Sequence, residues 1–392
     1  MVSTLEWVTA GSILAAWLAA GWIGLCGVRR LPRLTVQAGG ISPSLSVIVP
    51  ARNEAATLSR SVPSLLRQGY PDLEVIVLDD RSTDESGAVL ESLRAEHPSL
   101  TLLHIGVLPE GWLGKPHALF LGSRRARGDW LLFTDADVVF HPHCLEAAVA
   151  YAETHRLDHL VAIPRLVTLG FWEPILVGCF GLLFGLALRP WQAGDPRSRA
   201  SIGIGAFNLI RRSAYEAIGT HRAFANAVVD DLELGRLVKK QGFRQAAVRG
   251  EDFLEVRWQV GLAGVVRGVE KNAFAGLGYS AGRALAACVG LVAWGILPFL
   301  AAPVGAAKAL WVASAVLAIG CQAALARLTR LPVWSAAFFP LGIGVLVYAI
   351  ARSTLLALAR GGVLWRGTFY SLAALRRPPR ASDSPPDLPA GD

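Results

Sequence analysis

Charge is scarce in this chain. Only 17% of its 392 residues are Asp, Glu, Lys or Arg, and 53% are hydrophobic, giving a mean hydropathy of +0.43. So little charge excludes an ordinary soluble protein, and the length suits one soluble domain plus membrane spans. The small charged fraction is nevertheless unbalanced, with a formal net charge of +8, which suits nucleic acid, anionic lipid or an acidic substrate. No stretch interleaves basic and aromatic residues as a nucleic-acid platform does, so nucleic acid is not an expected partner. Cysteine is sparse too. Cys26, Cys144, Cys179, Cys288 and Cys321 are scattered without metal-ligand or redox spacing, and read as small buried hydrophobes in a reducing compartment.

What is abundant is long apolar sequence. Residues 7–28 carry no charge and are followed by Arg29, Arg30 and Arg33. At about 1.5 Å per residue that run spans a bilayer core. Positive charge follows the run and none precedes it, the reverse of a signal peptide. The positive-inside rule then puts the N-terminus outside and the following domain in the cytoplasm. Three more apolar runs, 284–307, 309–326 and 331–351, lie toward the C-terminus. Three crossings would leave Arg360, Arg366, Arg376, Arg377 and Arg380 outside, against the rule. Either the last run, broken by Pro340 and followed by Arg352, stops short of crossing, or the tail departs from the rule. Residues 174–188 form a shorter apolar run, expected at the interface or in a lipid-facing groove. The expected organisation is an anchor over 1–28, a soluble domain over 29–283 with interfacial segments near 167–190 and 258–280, and two or three spans over 284–358. A tail over 359–392 is expected to be disordered after 376, because it is rich in proline and polar residues.

Between about residues 44 and 250 short apolar segments alternate with helical ones. Strands are expected at 45–50, 73–80, 100–105, 130–137 and 159–166, with helices at 54–69, 83–97 and 114–128 between the first four. Pro63 is expected to kink the first of these helices. Nearly continuous apolar strands separated by helices imply an α/β domain with a mostly parallel sheet covered on both faces. Ligands bind such sheets beyond the carboxyl ends of the strands. Those ends are polar here. The first strand ends in "PARNEA", the second in Asp79 and Asp80, and the fourth in "TDAD" with Asp135 and Asp137. Two carboxylates one residue apart at the end of a buried strand are costly unless something positive compensates them. His141 and His143 follow closely but have a proline between them and no third partner, so they are expected at the surface.

With those residues in view, the chain resembles the family 2 glycosyltransferases, inverting enzymes of the GT-A (Rossmann-like) fold. The resemblance covers about residues 45–280. It rests on "SVIVPARNEAATL", "VIVLDDRSTDES", "GKPHAL", "LLFTDADVVFHP", "GIGAFNLIRRSAYEAIG" and "VVDDLELGRLVKKQG", in that order. The anchor, the C-terminal apolar runs and "GGVLWRGTFY" are similar to the membrane branch that glycosylates lipids, nearest the hopene-associated and carotenoid-glycosylating enzymes.

The resemblance implies a nucleotide diphosphate sugar donor, UDP-sugar favoured, and a lipid acceptor. It also implies Mg²⁺ or Mn²⁺ held by Asp135 and Asp137, which neutralises the departing diphosphate and answers the charge problem of the pair. Pro50, Ala51, Arg52 and Glu54 match the loop that holds the nucleoside, and Asp80 the aspartate that contacts the base. Lys115 matches a lysine that reaches the phosphates, and Asp135, Ala136 and Asp137 complete the donor site. Asp231 matches the general base and Asp230 its acidic neighbour. Gly203 and Gly205 are expected to let backbone approach donor or acceptor. Processive synthases of the family carry Gln or Arg three residues before an Arg-Trp pair; Arg257 and Trp258 are present, but Leu254 stands at the first position. The expected activity is transfer of one sugar to a membrane-lipid hydroxyl by a multi-pass protein of the cell (inner) membrane, with its catalytic domain cytoplasmic. A polyprenyl-phosphate acceptor and processive synthesis are the alternatives, and a non-catalytic membrane scaffold is a third.

Overall fold

The computed structural model describes residues 2–36, 42–365 and 368–376; the tail expected to be disordered lies outside them. The chain forms two compact units. Pro32–Arg165 with Gln192–Val256 make an α/β unit, and Met1–Leu31, Leu166–Trp191 and Arg257–Arg376 make a helical unit.

The α/β unit is built on a seven-stranded sheet: β1 (Leu45–Ala51), β2 (Leu73–Asp80), β3 (Leu100–Ile105), β4 (Trp130–Phe133), β5 (His159–Ile163), β6 (Asn208–Arg211) and β7 (Gln245–Arg249). Their order across the sheet is β3-β2-β1-β4-β6-β5-β7. β1 pairs parallel with both β2 and β4. The chain leaves β1 toward β2 and β3 on one side, then returns to add β4 on the other. Strand order therefore reverses at β1, which opens a crevice beyond the carboxyl ends of β1 and β4, where ligands of such sheets bind. Helices over Ala55–Leu66, Ser86–Glu96 and Gly114–Arg125 connect the parallel strands. Ile48, Leu78, Phe133, Ile210 and Tyr215 belong to the main core of this unit.

Three local differences from the pattern reading have physical causes. The expected fifth strand ends at Ile163 because Pro164 has no N–H to give the ladder. The expected fourth strand, 130–137, ends at Phe133, where Asp135 N–H turns to Gly205 O. β6 runs antiparallel to both neighbours, and neither it nor β7 stands out as a strand in the sequence. The four residues "NLIR" acquire strand geometry from pairing on both edges rather than from local propensity.

In the helical unit, Thr4–Arg30, Trp172–Gln192, Lys308–Leu328 and Val333–Arg360 are, among the described residues, long and apolar enough to cross a membrane. The segment 174–188 is thus longer than its uncharged core suggested, because Trp172–Leu188 is continued by a 3-10 turn at Pro190–Gln192. Conversely, the run 284–307 is divided between Ala281–Gly295 and Leu297–Ala301, with Pro298 unable to donate back into a continuous helix. Glu173, 2% exposed, anchors this unit. Its carboxylate accepts from Arg257 Nη2 (2.6 Å) and Nε (3.1 Å), Leu169 N (2.8 Å) and Gly261 N (2.8 Å). Trp258 stacks on Phe180 with ring centroids 4.3 Å apart.

Candidate active site

The loops that follow β1 and β2 are fastened to each other. Asn53 takes a left-handed conformation (φ 56°), which asparagine tolerates better than most residues. Its Oδ1 accepts from Thr83 N (2.8 Å), and its N–H donates to Ser82 Oγ (3.1 Å). Glu54 N–H donates to Ser86 Oγ at 2.8 Å, and Asp84 Oδ1 accepts from Ser86 N at 2.9 Å, at the start of the helix Ser86–Glu96. Pro50 and Ala51, at the end of β1, lie in register with Leu78 and Asp79. Asp80, 4% exposed, accepts from Arg81 Nε (2.7 Å) and Nη2 (3.0 Å) and lies 3.9 Å from Arg52 Nη1. Arg52, Glu54 and Asp80, separated in sequence, thus share one rim. Arg81, Ser82 and Ser86 escaped the sequence reading. Their cue was the "RSTDES" run, which reads as helix capping until both loops are seen together.

The DAD segment is held from three sides. Thr134 N–H donates to Ile48 O of β1 (3.2 Å), Asp135 N–H to Gly205 O (3.0 Å), and Ser61 Oγ to Ala136 O (2.6 Å). Lys115, in the first turn of Gly114–Arg125, places Nζ 2.6 Å from Asp135 Oδ1 and 3.8 Å from Asp230 Oδ2. Burial alone would weaken the lysine's hold on its proton. The charges of Asp135, Asp230 and Asp231 outweigh that and raise its pKa above the usual lysine range.

Asp230 and Asp231 open the helix Asp230–Lys240. Asp231 Oδ2 accepts from Gly205 N (2.8 Å) and Oδ1 from Leu232 N (2.8 Å). A small cavity lies among Lys115, Thr134, Gly205, His221, Asp230 and Asp231. The two glycines expected to admit donor or acceptor meet protein instead. A Cβ on Gly203 would run into the backbone carbonyl of Asp231, and one on Gly205 into Asp135 Oδ2, with Lys115 Nζ 3.0 Å away. Their bareness lets the loop 202–205 lie directly on the acidic helix and the DAD segment.

The residues fit a divalent cation in a limited sense. Among the described residues no group of three or more His, Cys, Asp or Glu side chains is placed to hold a metal ion, so the protein does not offer a closed cage. It offers the Asp135 and Asp137 carboxylates, which suits an ion that completes its shell with substrate phosphates and water. Burial, then the charges of Asp135 and Glu54, push the Asp137 carboxyl up to about 7, as expected where negative charge is under-compensated. The histidines stand apart from this pair: His141 Nε2 lies 3.8 Å from Glu255 Oε2, and His143 Nδ1 lies 3.1 Å from Glu146 Oε2.

Comparison with known proteins agrees with the fold. Residues 46–219 match the family described as Glycosyl transferase family 2. A 4,4'-diaponeurosporenoate glycosyltransferase of Staphylococcus haemolyticus (strain JCSC1435) is 27% identical over 237 residues, 60% of this chain and 62% of that protein. The protein of the same name in Staphylococcus aureus (strain MRSA252) is 27% identical over 250 residues, 63% of this chain and 65% of that protein. The chain therefore spans less than two thirds of the length of these relatives. The mannosyltransferase PcManGT of Pyrobaculum calidifontis, solved in complex with GDP-Man and Mn²⁺, superposes with a TM-score of 0.58 at 22% identity, covering 89% of this chain and 99% of its own. Residues 46–219 thus resemble a family 2 glycosyltransferase domain, and the likeness to PcManGT is one of fold.

Proposed function

We propose that this family 2 glycosyltransferase domain moves a sugar from a nucleotide diphosphate sugar to a hydroxyl of a membrane lipid, with inversion, at the cytoplasmic face of a membrane. The observation that carries the reading is Lys115. Its ammonium stands between Asp135 of the DAD segment and Asp230 beside Asp231, so one fixed charge links the donor-side and acceptor-side carboxylates.

In this reading the loops 50–54 and 80–86 hold the nucleoside, with Asp80 and Arg52 toward the base. Asp135 and Asp137 hold a Mg²⁺ or Mn²⁺ ion, which supplies positive charge to the diphosphate; the Mn²⁺ in the PcManGT complex agrees with this choice. Lys115 adds a fixed positive charge near the phosphates. Asp231, aimed by the Gly205 and Leu232 amides, accepts the acceptor hydroxyl's proton as the oxygen bonds to the anomeric carbon. The carbon–oxygen bond to the diphosphate breaks and nucleoside diphosphate leaves. Fixed amide donors and a half-buried lysine held by ion pairs need little reorganisation at that moment.

The apolar character of the chain supports a lipid acceptor, as do relatives named for a carotenoid substrate. Trp172–Gln192 deserves an interfacial place despite its length, because Arg165 and Gln192 on its two flanks belong to the same α/β unit. A full crossing would put its ends on opposite faces. Processive synthesis is less well supported, since Leu254 replaces the expected polar residue and Arg257 is ion-paired with Glu173.

The test is turnover in detergent micelles, with Mg²⁺ or Mn²⁺, a panel of UDP- and GDP-sugars and a total lipid extract. Mass spectrometry would follow hexose-shifted lipids. The expectation is a shifted lipid that disappears in Asp231→Asn, whereas Asp137→Ala loses metal-dependent donor binding as well. Wild-type turnover in both variants would overturn the site assignment.

A further inference from the structure

Behind Asp231 lies a closed polar circuit that the reaction as described leaves unused. His159 begins β5 and Gln245 begins β7, paired in register on adjacent parallel strands, and Asn208 begins β6. All three are at most 2% exposed. Gln245 Oε1 accepts from Ile202 N (2.9 Å). Its amide nitrogen donates to Gly235 O (3.0 Å) and lies 2.8 Å from His159 Nδ1. His159 Nε2 lies 3.2 Å from Asn208 Oδ1, which also accepts from Ile204 N (3.3 Å).

The proton inventory has one solution. An amide nitrogen can only donate, so His159 Nδ1 must accept. Asn208 Oδ1 can only accept, so His159 Nε2 must carry the hydrogen. The histidine is therefore neutral, which agrees with burial lowering its pKa to about 4.

The circuit joins two pieces of backbone. Ile202 and Ile204 lie in the loop whose Gly205 amide points at Asp231, and Gly235 lies in the helix that begins with Asp230 and Asp231. Apolar side chains would fill this space at less desolvation cost. A fully satisfied polar network instead specifies a single geometry.

We propose that His159, Gln245 and Asn208 are positioning residues for sugar transfer, clamping the loop 202–205 to the helix Asp230–Lys240 so that the Gly205 and Leu232 amides aim the Asp231 carboxylate. This rests on Asp231 as the base.

Gln245→Leu removes every polar contact of that side chain at similar volume. It lowers kcat by about 10- to 100-fold, the usual effect of losing the support of a catalytic group, and leaves the KM for the nucleotide sugar within about twofold. Gln245→Glu keeps the acceptor for Ile202 and can take a hydrogen from protonated His159. Its kcat therefore recovers as pH falls, along an ionisation absent from the wild type, and Gln245→Leu shows no such recovery. A merely structural role would move neither the split between kcat and KM nor the pH profile.

Hydrogen–deuterium exchange of the purified protein without substrate gives a second readout. Gln245→Leu should speed exchange at 202–205 by about tenfold or more while β1–β3 stay protected. Wild-type kcat in folded Gln245→Leu, or unchanged exchange at 202–205, would overturn the proposal. Asp231→Asn in the same assay separates the two readings: if it keeps turnover the base assignment fails, and if it loses turnover while Gln245→Leu does not, only the positioning network fails.

Discussion

Replacing Lys115 with Met removes one charge and keeps the length of the stem. The ammonium lies 2.6 Å from Asp135 Oδ1 and 3.8 Å from Asp230 Oδ2, with 21% of the lysine side chain, 40% of Asp135 and 7% of Asp230 exposed. Breaking a buried pair from one side costs about 3–5 kcal/mol, because the remaining charge stays buried without its partner. Asp230 meets that condition. Asp135 is exposed enough for water to recover part of the loss, which brings the expected cost to about 2–4 kcal/mol. For a unit of this size each kcal/mol moves the melting temperature by about 2–4 °C, so Lys115→Met should unfold about 5–15 °C below the wild type. Tryptophan fluorescence during a thermal ramp in micelles reads this, because Trp112 and Trp130 are buried in the α/β unit. The lysine's pKa is raised, so the difference should hold unchanged from about pH 6 to pH 8. Mn²⁺ should recover part of it by supplying positive charge to Asp135 and Asp137. A Lys115→Met melting temperature within about a degree of wild type, with or without Mn²⁺, would refute the view that this ammonium balances the acidic cluster.

Other consequences are equally direct. Gly203→Ala places a methyl group against the Asp231 carbonyl. It should cost about 1–3 kcal/mol by overpacking and lower kcat more than donor affinity, as steady-state kinetics on refolded and native material would register. Burial lowers the pKa of His117 to about 4, of His159 to about 4 and of His221 to about 3. Each therefore adds stability that is present above the ordinary histidine pKa of about 6.5 and lost as pH falls through its folded value. Acid unfolding followed by circular dichroism should begin below about pH 6, and His117→Gln should make it shallower. A pH-independent melting temperature down to about pH 4 would contradict the burial of these rings. Glu173→Ala leaves Arg257 and the amides of Leu169 and Gly261 without their carboxylate; because Arg257 is about a third exposed, water recovers part of the loss and the expected cost is about 1–3 kcal/mol. Faster proteolysis within 166–180 and 257–265 should reveal it, with little change in nucleotide binding.

Much of the molecule was legible in one dimension. The parallel strands β1 to β4 announce themselves because each is a short, mostly apolar run bounded by polar turns. The polar strand ends could be read as one candidate site because such sheets bind ligands beyond their carboxyl ends. Three of the four long apolar helices found among the described residues were legible from length alone.

Tertiary structure decided whatever depends on neighbours distant in sequence. β6 and β7 are too short to show a pattern, and they become strands because pairing satisfies their backbone. The roles of Gly203 and Gly205 are invisible until the loop lies on the acidic helix, since only then does a missing Cβ matter. His159, Asn208 and Gln245 are separated by 49 and 37 positions, and each alone is an unremarkable polar residue at a strand end. They become one circuit because the sheet sets their strands side by side, out of water, where every polar atom must find a partner. Sequence determined which chemistry the chain carries; the sheet and its crossovers determined which groups face one another, because hydrogen bonds and close contacts are set by distance in space.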